Sequence, residues 1–585
     1  MTLRFIVVAD SHIRFPDDDV TTYPSNALML DRNRRVVEMC NELDAEFVIH
    51  LGDIVHPLPV EEAHEPAVRL AADVYAQLHV PVHFVPGNHD IGDKPKAMVA
   101  VPPVAESNYA VYERYWGSAY RSFDRGNCHF VVVDTPVLNS GLDREAQQRS
   151  WLEADLAVAA AGGQRIFLFT HYPPFVREAG EGEHYDNLGE PARSWFLDLI
   201  VEHAVEAVFS GHVHNFLYNH HRGTELYVLP STGFVRPDYA ELAALAPESE
   251  GGRNDPPKLG FFVVEADDVG HVVRPVRTYG ATDLGASLPE VARAVIAPEW
   301  ECPIGVTLRH GWMSVVDFPT AGLDQFRRKQ VRNDAMLPAL WEARIHAVRI
   351  PIEDIVTPDD RARVAALAGR GMRFTVRSVG VADDATRGAI AAAKPWIERW
   401  EIVAWPADFR EVVGSIGPSS LRTAFAPLVP IGEAGAVHHF VAAGFDPFEP
   451  SAVEVAAAHD HHGVIDELVF RIPDGSVISD AVASAATVAN RLDRAAVADV
   501  ALPRGGESTL FDDDEAIAGW VADIARAALT HRQVAVFLDG FMDHDRSYYP
   551  HHGLVDRHYN PRPALLRLID VSREQGRGSG ESWNS

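Results

Sequence analysis

The chain has 585 residues, 47% hydrophobic and 23% charged, with a formal net charge of −31. At roughly 100–200 residues per domain this length implies several domains, and no apolar run reaches the ~18 residues that would cross a bilayer, so no membrane association is expected. The acidic surface would on average repel a polyanion, whose binding depends on Lys and Arg displacing counterions, so nucleic acid is not an expected partner. Cys40, Cys128 and Cys302 are too few for a disulfide framework and lack zinc spacing, so they read as buried thiols. The apolar stretch from Met1 to Ala9 is too short for a secretory leader and reads as a buried strand, so a cytoplasmic protein is expected.

In chain order, β-rich runs occur at Phe5–Ala9, Glu46–Leu51, Val82–Val85, His129–Asp134, Arg165–Thr170 and Ala207–Ser210. Helical patterns lie between them, such as Arg32–Leu43 and Ala192–His203. Short runs rich in Val, Ile and Phe predict buried strands. Glu225–Leu229, Gly260–Glu265 and Val272–Thr278 continue the series, and Ala240–Lys258, rich in Pro, Gly and acidic residues, reads as a mobile loop. The fold class is α/β, with a layered αββα domain over residues 1–285.

Gly285 to Pro303 reads as a junction, after which the alternation restarts. Candidate strands are Gly305–Leu308, Ala347–Ile350, Arg373–Val376, Trp400–Val403, Arg422–Ala426, Glu467–Phe470, Ala498–Ala501 and Val534–Phe537, with helical segments such as Asp360–Ala368 between most of them. Eight strands with intervening helices predict a (β/α)8 barrel over residues 300–575.

Metal-ligating side chains stand where the strands of the first half end: Asp10-Ser11-His12, Gly52-Asp53, Gly87-Asn88-His89-Asp90, His171 and Gly211-His212-Val213-His214. Ligand sites of open α/β sheets lie beyond the carboxyl ends of the strands. Two divalent ions ~3.5–4 Å apart need nitrogen and oxygen ligands and one bridging carboxylate, and this set supplies them. Imidazole suits Zn, Fe or Mn, and the oxygen ligands shift preference toward Mn or Fe. Singly the pieces are weak, because Asp-x-His arises by chance and Gly-Asp is a turn dipeptide. Their weight comes from occurring together, each after a β-rich run.

The ordered set resembles the calcineurin-like metallophosphoesterase superfamily, and is especially similar to its class III cyclic nucleotide phosphodiesterase branch. The resemblance covers about half of the chain. It implies that Asp10, His12 and His214 hold one metal, that Asn88, His171 and His212 hold the other, and that Asp53 bridges both. It also implies a metal-bridging hydroxide as nucleophile, His89 as the acid that protonates the leaving oxygen, and Asp90 as the carboxylate that orients His89. Ser/Thr protein phosphatases carry an arginine soon after Gly-Asp and a glutamate after Asn-His; here Gly52-Asp53-Ile54-Val55-His56-Pro57 and Asp90 stand instead, which argues against that branch. Purple acid phosphatases place a metal-binding tyrosine where His56 stands, so an iron–tyrosinate centre is not expected, and His56 reads as a loop histidine without a special role or, as the alternative, as a residue just outside the metal ligands. His184 and Tyr185, in the loop after His171, and Arg236, after Ser231-Thr232-Gly233-Phe234-Val235, are candidate substrate contacts, Arg236 as a phosphate clamp or, equally, a structural ion pair.

The tail Gly553-Leu554-Val555-Asp556 through Pro563-Ala564 is similar to the closing segment of (β/α)8 glycoside hydrolases. Such enzymes need two carboxylates at strand ends. Here the fourth strand ends in Val403-Ala404-Trp405-Pro406-Ala407-Asp408 and the seventh in Asp499-Val500-Ala501-Leu502-Pro503-Arg504, neither with the expected Glu at its tip and with Asp408 and Glu507 displaced, so a non-hydrolytic barrel is expected. The expectation is hydrolysis of small phosphodiesters, and also monoesters, by a two-metal centre of Mn, Fe or Zn ions, in a protein able to form a homo-oligomer. The alternatives are a polynucleotide-directed nuclease of the same superfamily and a carbohydrate-binding or scaffold protein working through its barrel.

Overall fold

The computed structural model describes residues 2–16, 23–95, 101–243, 245, 249–295, 297, 300–309, 312–320, 326–416, 421–430, 441–451, 453–454, 460, 463–503, 512–543 and 551–578. Parts of the expected loop over 240–258 and the displaced Glu507 lie outside them. By contacts the chain divides into two units, Met1–Ile296 with Ser314–Pro338, and Ala297–Met313 with Ala339–Ser585. Among the described residues no helix is long and apolar enough to cross a membrane.

The first unit contains β1 (Leu3–Val8), β2 (Val48–His50), β3 (Val82–Phe84), β4 (Arg121–Arg125), β5 (Cys128–Val132), β6 (Arg165–Thr170), β7 (Ala207–Ser210), β8 (Leu217–His221), β9 (Thr224–Val228), β10 (Gly260–Ala266) and β11 (His271–Arg277). They form a five-stranded sheet, β11-β10-β1-β2-β3, and a six-stranded sheet, β4-β5-β6-β7-β9-β8. Phe5 of the first sheet meets Phe130 of the second with ring centroids 5.3 Å apart, edge to face. Phe130 stacks on Phe167, and Phe169 on Phe209, each at 5.5 Å. Edge-to-face and offset-stacked rings are the favoured aromatic geometries, so this filling is stabilising beyond its apolar area. The alternate residues Ile6 and Val8 face outward onto Val36 and Met39 of the helix Met29–Asn41. Leu152, Leu156, Phe196 and Ile200, from the helices Asp143–Ala161 and Ala192–Glu202, cover the outer face of the second sheet. Both faces of β1, β5, β6 and β7 are therefore buried, which is why they read as unbroken apolar runs.

Parallel pairing sets the site. Val8 of β1 lies opposite His50 of β2, which lies opposite Phe84 of β3. Thr170 of β6 lies opposite Ser210 of β7. The loops carrying Asp10, Asp53, Asn88, His171 and His212 consequently leave their strands at the carboxyl ends.

In the second unit, eight strands pair in parallel around a closed barrel: Gly305–Thr307, Ala347–Pro351, Arg373–Val379, Ile397–Ala404, Arg422–Pro430, Glu467–Ile472, Ala495–Val500 and Val534–Leu538. The first pairs with the last, and a Cβ on Gly305 would fall 2.4 Å from the ring of Phe537. Asp408 lies in the short turn Pro406–Asp408 and is exposed. The fourth and seventh strands carry carboxylates within their length instead, Glu401 and Asp499. Arg349 joins them, with Nε 2.9 Å from Glu401 Oε2 and Nη1 2.5 Å from Asp499 Oδ1, and Arg377 also pairs with Glu401 at 2.6 Å. Both interior carboxylates are thus committed to guanidinium groups.

The hairpin of Val315–Pro319 against Arg328–Arg332, which no alternation in the sequence marked, groups with the first unit.

Candidate metal centre

Five of the expected ligands sit at positive φ: Asp10 (55°), His12 (45°), Asp53 (52°), His212 (68°) and His214 (54°). Non-glycine residues rarely adopt this region, and such strain concentrates where function fixes the backbone. The glycines beside them answer to close approach. A Cβ on Gly87 would fall 2.3 Å from Asp53 Oδ1, and one on Gly211 2.9 Å from Asp10 Oδ2. The Gly-Asp, Gly-Asn-His and Gly-His pairs are therefore a packing requirement around the carboxylates.

The side chains converge in two groups that share Asp53: Asp10, His12, Asp53 and His214, and Asp53, His171 and His212, with Asn88 joining the second. In the first, His12 Nε2 lies 3.1 Å from His214 Nε2 and 3.4 Å from Asp53 Oδ2, and His214 Nε2 lies 3.4 Å from Asp10 Oδ1. In the second, Asn88 Oδ1 lies 2.9 Å from His171 Nε2 and 3.1 Å from His212 Nδ1, and His171 Nε2 lies 3.4 Å from Asp53 Oδ1. Bonds of about 2.0–2.1 Å to one ion place its neighbouring ligand atoms about 2.9–3.4 Å apart in octahedral or tetrahedral arrangements. The two oxygens of Asp53 face different groups, so its carboxylate is placed to be shared between them.

Outer hydrogen bonds fix the imidazoles. His171 Nδ1 lies 2.9 Å from Leu51 O and His214 Nδ1 3.1 Å from Phe234 O, so each ring donates there and turns the Nε2 lone pair inward. His89 Nδ1 donates to His56 O at 2.5 Å. The role expected of Asp90 changes accordingly. Its carboxylate accepts from Gly87 N at 2.9 Å and Ile54 N at 3.1 Å, capping the single helical turn Asn88–Ile91 rather than gripping the His89 ring. Of the two readings of His56, the geometry agrees with a place just outside the ligands: its Nδ1 lies 3.4 Å from His12 Nδ1, and with His12 and His89 it forms a third imidazole group. Its position three residues after Asp53 was the one available signal.

Of the candidate substrate contacts, Tyr185 borders the centre, its hydroxyl 3.5 Å from Asn88 Nδ2 and its ring 4.6 Å from that of His212. His184 is held within its own loop by Glu181 at 3.1 Å. Arg236 donates to Asp186 Oδ1 at 2.5 Å and to Asp238 Oδ2 at 2.6 Å, so both of its arms are occupied by carboxylates. Asp186, fully buried, also pairs with Lys329 of the 315–332 hairpin and accepts from Tyr239 Oη at 2.8 Å. It lies 3.8 Å from His212 Nε2, on the side of that ring away from Asn88. Neither Asp186 nor Lys329 was singled out from sequence, since a lone Asp in a loop and a Lys in a strand carry no pattern.

Electrostatics agree with a cation site. Burial pushes the Asp10 carboxyl up to about 8, against the pull of His171 and with a push from Asp53. Burial, and then the Asp53 charge, raises Asp90 well above the carboxylate range. Burial is likewise the main cause that holds His12, His212 and His214 well below the usual histidine range. Neutral imidazoles and crowded carboxylates are the donor set a pair of divalent ions accepts, and such ions supply the positive charge these groups lack. Chelation is therefore expected to lower Tm by several degrees, reversibly on adding Mn²⁺. An unchanged melting curve, with metal removal verified by elemental analysis, would count against the fit.

Residues 3–216 match the family model described as calcineurin-like phosphoesterase. A Bos taurus protein named serine/threonine-protein phosphatase CPPED1 is 30% identical over 212 residues, covering 34% of this chain and 63% of its own length. Its Danio rerio counterpart is 29% identical over 208 residues, covering 34% and 64%. Arabidopsis thaliana purple acid phosphatase 23 is 31% identical over 151 residues, covering 24% and 31%. The chain thus spans less than two thirds of the length of these relatives, and the barrel lies outside the family match.

Proposed function

We propose that the calcineurin-like phosphoesterase domain at the start of this chain hydrolyses small phosphoesters at a two-metal centre, with phosphodiesters as the preferred class. The observation that carries the reading is the pair of ligand groups sharing Asp53, with neighbouring atoms 2.9–3.4 Å apart. When bound, two divalent ions supply activated water and charge stabilisation for in-line displacement at phosphorus. The chain's own residues do the rest. Asp53 spans the two groups, and the His56 carbonyl holds His89 by Nδ1, which leaves Nε2 to deliver a proton to the leaving oxygen. The ions are Mn, Fe or Zn by the nitrogen and oxygen donor set.

A second reading, phosphomonoesters, is favoured by the relatives' names, which call them phosphatases. The residues after Gly52-Asp53 and Asn88-His89 depart from the Ser/Thr phosphatase pattern, so that name does not by itself bring phosphoproteins to this chain.

The deciding experiment compares hydrolysis of bis(p-nitrophenyl) phosphate and p-nitrophenyl phosphate, with Mn²⁺ added or chelated, for wild type and Asn88→Ala. Metal-dependent cleavage of the diester in preference to the monoester, lost in Asn88→Ala, is the expected result. The reverse preference selects the second reading. Turnover of neither ester with metal bound defeats both.

A further inference from the structure

The proposed function leaves open what a natural substrate carries beyond its scissile phosphorus. Beside the metal centre, within the first unit, lies a cavity of about 600 Å³. That volume suits a small molecule. Tyr185 is the wall between the two spaces, since it lines the cavity and also touches Asn88 and His212. In a chain of net charge −31, five cations line this cavity: Lys94, Arg177, Arg327, Arg328 and Lys329.

They divide by role. Lys329 is committed to Asp186 and Asp238. The Lys94 ammonium is buried and bonds two neutral oxygens, the His184 carbonyl at 2.6 Å and the Asn187 carbonyl. Arg177, Arg327 and Arg328 form the rim; Arg327 and Arg328, at the start of the hairpin strand Arg328–Arg332, are exposed, and Arg328 lies 3.7 Å from Glu241. Of the three acids in the lining, Glu181 is occupied by the backbone amides of Val176 and Arg177 and by His184, and Glu178 pairs with Arg177 at 3.3 Å, which leaves Glu183. Five cations against three carboxylates next to a phosphoester centre is a composition that recognises a second anion, and the planar guanidinium donors match phosphate and carboxylate oxygens.

We propose that this cavity is a subsite for a second anionic group, a phosphate or carboxylate on the same small molecule as the scissile phosphoester. The inference rests on the phosphoesterase reading and names the substrate class of that site. The hairpin that supplies the two rim arginines would then be its specificity element.

The test uses the full-length, Mn²⁺-loaded protein with fructose 1,6-bisphosphate and fructose 6-phosphate as probes, titrated by calorimetry at low salt. Wild type is expected to bind the bisphosphate about ten-fold or more tightly than the monophosphate, the scale of one or two charge-assisted hydrogen bonds. The double variant Arg327→Ala/Arg328→Ala should bring that ratio to near one, and Arg327→Lys/Arg328→Lys should restore part of it. Because the readout is a ratio within one protein, a general loss of folding cancels. A wild-type ratio near one, or a preference that persists in the alanine variant, overturns the inference. Neither result depends on turnover, so failure of the phosphoesterase reading shows separately, as no hydrolysis of either p-nitrophenyl ester.

Discussion

Replacing His89 by alanine is expected to lower kcat by about 10²–10⁴-fold, the usual contribution of a general acid, while the full metal complement is retained. The reason is geometric. His89 stands outside both groups that share Asp53, yet its ring lies 4.6 Å from that of His12 at the edge of the centre. Its Nδ1 is tied to the His56 carbonyl, so Nε2 is the nitrogen free to serve a substrate. Its backbone N–H donates to Asp53 Oδ1 at 2.8 Å, and alanine keeps that bond. Metal content measured by elemental analysis should therefore match wild type. The leaving group separates proton donation from simple charge stabilisation. p-Nitrophenolate departs without a proton, so the loss should be much smaller for p-nitrophenyl esters than for an alkyl ester of the same phosphate. Equal losses for both would assign His89 to charge stabilisation alone, and an unimpaired variant would remove it from the chemistry.

The same residues show how far the sequence is legible. Each ligand was visible because it follows a buried strand, and buried strands announce themselves as apolar runs. Arg165–Thr170 and Ala207–Ser210 coincide with β6 and β7 residue for residue. The eight barrel strands were found for the same reason. What escaped lacks that signature. β4 reads Arg-Ser-Phe-Asp-Arg at a sheet edge, and the 315–332 hairpin pairs strands of mixed polarity, so neither shows continuous burial. Within the site, periodicity and spacing could not tell that Asp90 caps a turn, or that the His56 carbonyl holds His89. Those roles depend on backbone atoms, which every residue has.

Lys329→Met should cost about 3–5 kcal/mol of stability, as removal of one partner from a buried charge group does. Lys329 and Asp186 are both completely buried, and Asp238 shares the same ammonium at 3.1 Å. Burial pushes the Asp186 carboxyl up, but the neighbouring charges, led by Arg236 and Lys329, hold the group well below the carboxylate range. Without Lys329, two carboxylates compete for the Arg236 guanidinium. The consequence reaches the metal centre through charge, because the Asp186 carboxylate stands 3.8 Å from His212 Nε2 while His212 Nδ1 faces Asn88. Supporting carboxylates of this kind typically contribute 10–100-fold to metal affinity. Lys329→Met is therefore expected to weaken metal retention in a competition with a chelator as well as to lower Tm. The double variant Lys329→Met/Asp238→Asn, which restores one carboxylate to one guanidinium, should recover part of both losses; a surface lysine without this role would show neither loss nor recovery. Because residues 314–338 group with the first unit, a fragment ended at the expected boundary of residue 285 lacks Lys329 altogether. Such a fragment should show the same metal loss, which full-length Lys329→Met would reproduce with every other residue in place.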